Sequence, residues 1–529
     1  MRHIPAMQND FISTNVAAEH PDFLRDESRR SGTAEALAQP RTEAELRAAL
    51  ALAQERGWSV TVQGGRTGIA GGAVPEGGLV VNLGRMNRVL GLRQAGGGFV
   101  VTAQPGVVLQ DLRRMLHARE FATADWSAES LAALAALRAA PPQVFPPDPT
   151  ETTATLGGMA ACNASGACTF RYGATRRHIA GLRLMLPDGD VLALPRGAAQ
   201  AQGREFALET VAHRRLAGRL PAYRLPAVKN AAGFFAADGM DLVDLFIGAE
   251  GTLGILTELD LQLQPAPVAR WGLMMFFPDQ AAAVRLVHAA RAAGDARLAA
   301  LEFFDARALA LLRRERPRMT ALGALPEMPA HFHTAVYAEV HAADEDAAAE
   351  SATALAGLMT ASGGNEDACW LATSDPDMEK FKAFRHALPE AVNHLIDERR
   401  KTEPTLTKLG TDMAVPDAHL GAILERYERD LTAAGLDYVI FGHIGNNHLH
   451  VNILPASKAD YQRGRELYLA WARDVVGWGG TVAAEHGIGK LKAPMLEVMF
   501  GAAGIAEMRA VKRVFDPAGR LSPGNLFSA

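Results

Sequence analysis

Three cysteines in 529 residues, Cys162, Cys168 and Cys369, are too few and too irregularly spaced for a disulfide framework, a zinc ribbon or a thiolate-held iron–sulfur cluster. Their scarcity points to a reducing compartment, the cytoplasm. No unbroken apolar run of about 18 or more residues occurs, so no membrane span is expected; peripheral contact with the inner membrane stays open. Met1 to Ala18 lacks the basic segment and apolar core of a secretory signal. Long basic runs are absent too, and 54 basic against 59 acidic residues leave a net charge of −5, which argues against a nucleic-acid partner. The 48% apolar and 21% charged content is that of an ordinary globular chain. Its length calls for two or three domains.

Glycine, by contrast, is plentiful, and its densest stretch organises the N-terminal half. Val62-Gln-Gly-Gly-Arg-Thr-Gly-Ile-Ala-Gly-Gly72 holds five glycines between two apolar runs, Trp58 to Val62 and Leu79 to Leu83. Such a stretch is neither helix nor regular strand. Its backbone can approach a ligand closely and present free N–H groups to an anion. Arg66 and Thr67 add a cation and a hydroxyl donor. The reading is a pyrophosphate cradle; a glycine-rich surface turn is the alternative that this loop alone leaves standing.

Around the loop, residues 1–36 are expected to wrap loosely. Thr42-Glu-Ala-Glu45 is a capping box that opens a helix ending at Gly57. Short β-branched runs read as strands at Val80–Leu83 and Phe99–Ala103, and a helix is expected over Val108–His117. Ser127 to Ala140 reads as an inserted surface helix. Phe145-Pro-Pro-Asp-Pro149 is stiff extended chain. The small-residue stretch from Thr155 to Gly173, carrying Asn163, Ser165 and Thr169, suits either a flat ligand lying on the backbone or tight helix–sheet packing. A hairpin follows at 182–194. Residues 196–228 read as irregular, Asp244–Ile247 as a strand, Gly248-Ala-Glu-Gly-Thr-Leu-Gly254 as a loop with Glu250 as an acceptor or a solvated turn residue, and Ile255–Leu263 as a strand. Pro265-Ala-Pro267 marks a boundary. Beyond it, strands near Gly272–Phe277, Leu298–Phe304 and Thr334–Val340 alternate with helices at Gln280–Ala293 and Asp344–Ser362. That order predicts an antiparallel sheet with helices on one side.

The C-terminal third holds the densest chemistry. Gly442-His-Ile-Gly-Asn-Asn-His-Leu-His-Val-Asn452 reads as two strands around a turn. Alternation puts His448, His450 and Asn452 on one face, with His443 folding back over it. Imidazole nitrogens ligate zinc and similar metals. Glu485, expected at the end of a strand Thr481–Ala484 and followed by His486-Gly-Ile-Gly489, completes a set of His443, His450 and Glu485. Three protein ligands leave a position open for substrate. His486 is then free to take a proton, and His448 remains an alternative base. Arg385 and Lys408 are candidate carboxylate anchors or, alternatively, members of surface ion pairs.

Taken together these pieces resemble the vanillyl-alcohol oxidase superfamily, in the branch of FAD-linked D-lactate dehydrogenases, glycolate oxidase D subunits and D-2-hydroxyglutarate dehydrogenases. The resemblance runs from about Pro40 onward. Its carriers are Gly64-Gly-Arg-Thr-Gly, Pro146-Pro-Asp-Pro, Thr155-Leu-Gly-Gly-Met, Tyr172-Gly173, Gly248-Ala-Glu-Gly-Thr-Leu-Gly, Gly442-His-Ile-Gly, His450-Val-Asn, Glu485-His-Gly-Ile-Gly and Phe515-Asp-Pro with Pro523-Gly-Asn. The resemblance implies an α+β fold: a PCMH-type FAD-binding domain of two α/β subdomains over 37–266, a cap domain with an antiparallel sheet flanked by helices over 267–480, and a returning segment over 481–529. It implies FAD held by Gly64, Gly65, Arg66, Thr67, Gly68, Pro147, Thr155, Gly157, Gly158, Asn163, Gly166, Tyr172, Gly173, Glu250, Gly251, Gly254 and Ile255. Thr67 stands where covalent members carry histidine, so the flavin is expected to be non-covalent. The resemblance further implies zinc or a similar divalent metal on His443, His450 and Glu485, and a hydroxy acid surrounded by Arg385, Lys408, Asn452 and His486. Pro389 replaces a hydroxyl side chain of the hydroxyglutarate enzymes, which points toward a D-lactate-like substrate, with glycolate and D-2-hydroxyglutarate as alternatives. A related transferase, alkyl-dihydroxyacetonephosphate synthase, shows a run of histidines where this chain has His486 alone. No cysteine-rich extension follows, so electrons are expected to leave to a separate quinone, electron-transfer protein or oxygen. A monomer or homodimer is expected.

Overall fold

A computed structural model describes residues 10–527. Residues 1–9 of the expected N-terminal arm and 528–529 of the returning segment lie outside the described residues. The first sheet carries three parallel strands, Ala36–Ala38, Leu79–Asn82 and Val60–Gln63, with Ile12–Ser13 added antiparallel at one edge. The helix Glu43–Arg56 crosses between two of them. Thr42 Oγ1 accepts the Glu45 amide at 3.2 Å, and Gly57 ends the helix in a left-handed conformation. The expectation of a loosely wrapped arm needs correction. Besides the strand Ile12–Ser13, Val16 is buried, and the Phe23 carbonyl accepts Gln63 Nε2 at 2.8 Å.

The second sheet is antiparallel, in the order Val89–Ala95, Gly98–Ala103, Ile255–Gln262, Ile179–Met185 and Val191–Pro195. The helix Ala128–Ala139 lies on it with Ala133, Leu134 and Leu137 buried, and Ser130 Oγ accepts the Leu92 amide. Two local readings differ. The expected strand Asp244–Ile247 is a helical turn, Val243–Phe246, entered through a tight turn in which Asp241 Oδ1 accepts the Val243 amide; a short apolar run fits helix and strand equally. Residues 196–228 contain a hairpin, Glu205–Glu209 with Arg215–Arg219, whose buried Phe206, Leu208 and Leu216 alternate with exposed residues.

The C-terminal half is built on an eight-stranded antiparallel sheet. Cys369–Ala372, Ala269–Phe277, Thr334–Ala342, Leu298–Phe304, Tyr438–Gly442, His448–Ile453 and Leu409–Gly410 run in that order, with Met413–Ala414 also paired to His448–Ile453. Helices cover both faces rather than one. Gln280–Ala293 and Glu345–Ala361 share a core with Leu273, Met275 and Phe303, while Ala306–Glu315 and Asp375–Arg400 pack with Met274, Phe276 and Phe304. All seven residues of Leu298–Phe304 are buried, as a strand covered on both sides requires. Register puts Glu302 opposite Tyr337, Phe304 opposite Phe441, and Phe441 opposite His450. Opposed residues share a face, so Glu302, Tyr337 and His450 look the same way.

The predicted strand Thr481–Ala484 is instead an extended loop with one isolated bridge, to Ala414, and scattered bonds on either side. Thr481 N donates to Ala414 O, Ala484 N to Asp412 O, and Ala231 N to Ala483 O. The helix Ala493–Phe515, broken at Gly501, then carries the chain back. Phe515 stacks on Phe206 with centroids 5.7 Å apart, and Ser522 N donates to Val60 O.

Candidate active site

The glycine loop and the loop of Glu250 enclose a cavity of about 350 Å³. Gly64, Gly65, Arg66, Thr67 and Gly68 line it, with Thr155, Gly157, Gly158, Glu250, Gly251 and Gly254 opposite. A Cβ at Gly64 would collide with Thr155 Oγ1, so only glycine lets these walls meet. Arg66 has a positive φ of 59° and lays its guanidinium over the Phe23 ring at 4.3 Å. Ser165 Oγ and Asn525 Oδ1 are buried beside the cavity with no hydrogen-bond partner among the described residues. Free acceptors and donors beside a glycine-lined cleft fit a dinucleotide.

Six residues expected to touch the flavin do not line this cavity. Pro147 offers its carbonyl to Arg113, and Asn163 accepts the Arg176 amide. Gly166 is pressed against the Asp148 backbone, Gly173 turns the chain at φ 79°, and Ile255 is in the core of the first sheet. Tyr172 reaches away to His341, Oη to Nδ1 2.7 Å. These six shape or brace the wall.

Glu250 is buried rather than a solvated turn residue. Its two oxygens each accept one amide, from Ile488 and from Gly489, both at 2.7 Å. Burial nevertheless pushes its carboxyl up to about 7. An acid held more protonated in the fold than in the open chain loses stabilising influence as pH rises between its two pKa values. Glu250→Gln offers one acceptor to two donors, so unfolding in urea should show a loss of about 1–3 kcal/mol at pH 5. That deficit should shrink as pH rises toward 8. A deficit that grows with pH would refute this account.

The same loop carries Glu485 and His486, and both line the cavity. On its other side Glu485 joins His443, His448 and His450, whose ligand atoms all lie within 4.8 Å of one another. His443 Nδ1 is 2.7 Å from Glu302 Oε1, leaving Nε2 toward Glu485 Oε2 at 3.1 Å. His450 Nδ1 is 3.2 Å from the Thr411 carbonyl, leaving its Nε2 free. A carboxylate or carbonyl behind one ring nitrogen fixes the other as a metal donor. Burial lowers the His448 pKa to about 4 and, with the neighbouring imidazoles, holds His450 far below its ordinary value, so both rings are neutral donors. Burial opposes protonation of His443 as well, yet Glu302 lifts it to about 9. The donor set fits a divalent metal, and His448 joins the three ligands expected from the sequence.

Asp412 braces this cluster from beneath. It is fully buried and accepts the amides of Glu485 and His486 at 3.1 and 2.9 Å and Lys492 Nζ at 2.7 Å. His448 Nε2 and His486 Nδ1 lie 2.9 and 3.5 Å from it. Burial works against its charge, but His486 and Lys492 hold the carboxyl well below the usual range. His486 stacks on His450 with centroids 5.1 Å apart, and burial lowers its pKa.

Arg385, on the helix Asp375–Arg400, approaches the cluster through Glu302, Nη2 to Oε2 3.6 Å, and sits over the Tyr337 ring at 5.4 Å. Its Nε is buried without a partner among the described residues. Burial opposes its charge, but Glu302, Tyr337 and Glu339 raise its pKa. Asn452 is buried on the His450 strand. Lys408 is not brought to the donor cluster. It stands one residue before Leu409–Gly410, on the Asn452 face by register, and burial and the Arg29 charge lower its pKa. Three residues that the sequence reading passed over, Lys229, Glu302 and Asp412, are integral to the cluster. Glu302 left a legible signal, a lone carboxylate inside an apolar strand, which must be paired.

Residues 267–526 match the family FAD linked oxidases, C-terminal domain, and residues 34–139 and 126–194 match the FAD binding domain. The chain is 27% identical over 502 residues to the glycolate oxidase subunit GlcD of Bacillus subtilis, covering 93% of this chain and 89% of that protein. It is 29% identical over 545 residues to a D-2-hydroxyglutarate dehydrogenase of Xanthomonas citri (99% and 95% covered). With a D-lactate dehydrogenase of Anaerostipes hadrus it shares 28% over 524 residues (96% and 92%). A solved alkyldihydroxyacetonephosphate synthase superposes with a TM-score of 0.63 at 15% identity, over 97% of this chain and 82% of that one, a likeness of fold. The chain therefore belongs to the FAD-linked D-2-hydroxyacid dehydrogenase and oxidase family. It is an FAD-dependent oxidoreductase. Among the described residues no helix is long and apolar enough to cross a membrane.

Proposed function

We propose that this enzyme oxidises a small D-2-hydroxy monocarboxylic acid of the D-lactate type to its 2-oxo acid, using non-covalent FAD and a divalent metal such as zinc, and passes electrons to a separate acceptor. One observation carries the reading: Glu485 and His486 form a wall common to the glycine-lined cavity and the histidine cluster. When bound, the flavin supplies a hydride acceptor and the metal polarises the substrate hydroxyl. His443, His450 and Glu485, with His448 beside them, would hold the metal. Arg385 binds the substrate carboxylate and so orients its C–H bond. His486 takes the hydroxyl proton, since it is neutral and faces the cavity. His448 is a poorer base, being wholly inaccessible beside Asp412. Asp412 holds His486 in place through its amide and ring.

Pro389 lies one turn beyond Arg385 and has no N–H for the Arg385 carbonyl. It also supplies no hydroxyl for a second carboxylate, which favours a monocarboxylate over 2-hydroxyglutarate. Anaerobic mixing with D- and L-2-hydroxy acids tests the proposal. Flavin absorbance should bleach with D-lactate, more slowly with D-2-hydroxyglutarate, and not with L-lactate. Stripping metal with a chelator should slow bleaching, and zinc should restore it. Bleaching by no hydroxy acid would favour the transferase reading; indifference to chelation would remove the metal.

A further inference from the structure

Lys229 has no part in the scheme above, yet its ammonium is within the donor set. The placement follows from backbone pairing. Ala231 N donates to Ala483 O, and Thr481 Oγ1 donates to Asn230 Oδ1, so the chain around residue 230 is pinned against the loop that carries Glu485. Lys229, next in the chain, thereby reaches Glu485. The Lys229 side chain is 4% exposed, and its Nζ donates to Glu485 Oε2. It also lies 3.4 Å from His448 Nδ1. The oxygen it holds is the one that His443 Nε2 approaches at 3.1 Å and His448 Nδ1 at 3.7 Å.

A lysine that merely oriented a metal ligand would hold the far side of the carboxylate, as Glu302 holds the far nitrogen of His443. Lys229 instead touches the donor atoms themselves. We propose that Lys229 is a resident counter-cation of this set. Without metal, its ammonium keeps Glu485 and His448 drawn together; with metal, it must withdraw, so lysine and metal compete for the same atoms. The physical basis is plain. Several buried donors converging on one point repel unless a positive charge stands among them, and two cations cannot occupy that point together. This inference rests on the metal-site reading above.

The test titrates zinc chloride into metal-stripped, FAD-loaded wild type, Lys229→Met and Lys229→Gln, with a chromophoric chelator as competitor, and follows the melting temperature of each metal-free form. Lys229→Met should bind zinc at least tenfold more tightly than wild type and melt at a lower temperature without it. Lys229→Gln carries the same expectation should the methionine variant fail to fold. Zinc affinity that is unchanged or weaker in the variants overturns the counter-cation role and leaves the metal site intact. Failure of wild type and variants alike to bind zinc, manganese or cobalt overturns the metal-site reading and the counter-cation role with it. Zinc binding by a variant but not by wild type supports the competition directly.

Discussion

His450→Ala should abolish turnover of the D-2-hydroxy acid while FAD stays bound. The ring is held through Nδ1 by the Thr411 carbonyl, so its other nitrogen points among His443, His448 and Glu485. Alanine deletes a donor that no neighbour can replace, because His443 and His448 each already give one ring nitrogen to the set and hold the other against Glu302 and Asp412. His450 does not line the glycine-rich cavity, so flavin content should be unaffected. A fall in kcat/KM of about a thousandfold or more corresponds to roughly 4 kcal/mol of lost transition-state stabilisation. Steady-state kinetics, flavin absorbance and metal analysis on one preparation check it. Full activity in a variant with normal flavin would eliminate the metal from the mechanism.

Arg385→Ala should raise KM for the hydroxy acid tenfold or more, about 1.4 kcal/mol. The guanidinium is buried above Tyr337, carries an Nε with no partner among the described residues, and lies 3.6 Å from Glu302. A charged fork with spare donors in a buried place suits a carboxylate ligand. Arg385→Lys keeps the charge but loses the planar pair of donors, so it should recover part of the loss. If KM in the alanine variant matches wild type, the carboxylate is anchored elsewhere, and Lys408 on the Asn452 face is the next residue to test.

Much of this was legible in the sequence where local chemistry decides structure. The glycine loop, the capped helix after Thr42 and the alternation of His448, His450 and Asn452 all stand as the residues imply. What escaped was set by tertiary partners. Residues 244–247 belong to a helical turn entered where Asp241 accepts the Val243 amide, and residues 481–484 make one isolated bridge to Ala414 with scattered bonds on either side instead of a strand ladder. Lys229 lies in a stretch with no periodicity, and nothing in its neighbours in the chain announces that it meets Glu485. The expected flavin-site residues that lie behind the cavity lining were hard to place for a related reason. Tyr172 and Asn163 sit in a motif whose residues divide between facing a cleft and bracing it, and a linear string does not separate the two.

The loop from 481 to 489 is gripped from both halves, by Asp412 under Glu485 and His486 and by Glu250 under Ile488 and Gly489. It therefore works as a latch. Swinging the two lobes apart like a clamshell would break at least one pair of these amide hydrogen bonds to a buried acid, which favours entry and exit through a standing gap. Catalytic distance is then a property of the resting molecule rather than of a closing movement. Lengthening this latch by a single residue would misalign the chemistry while both lobes remained folded.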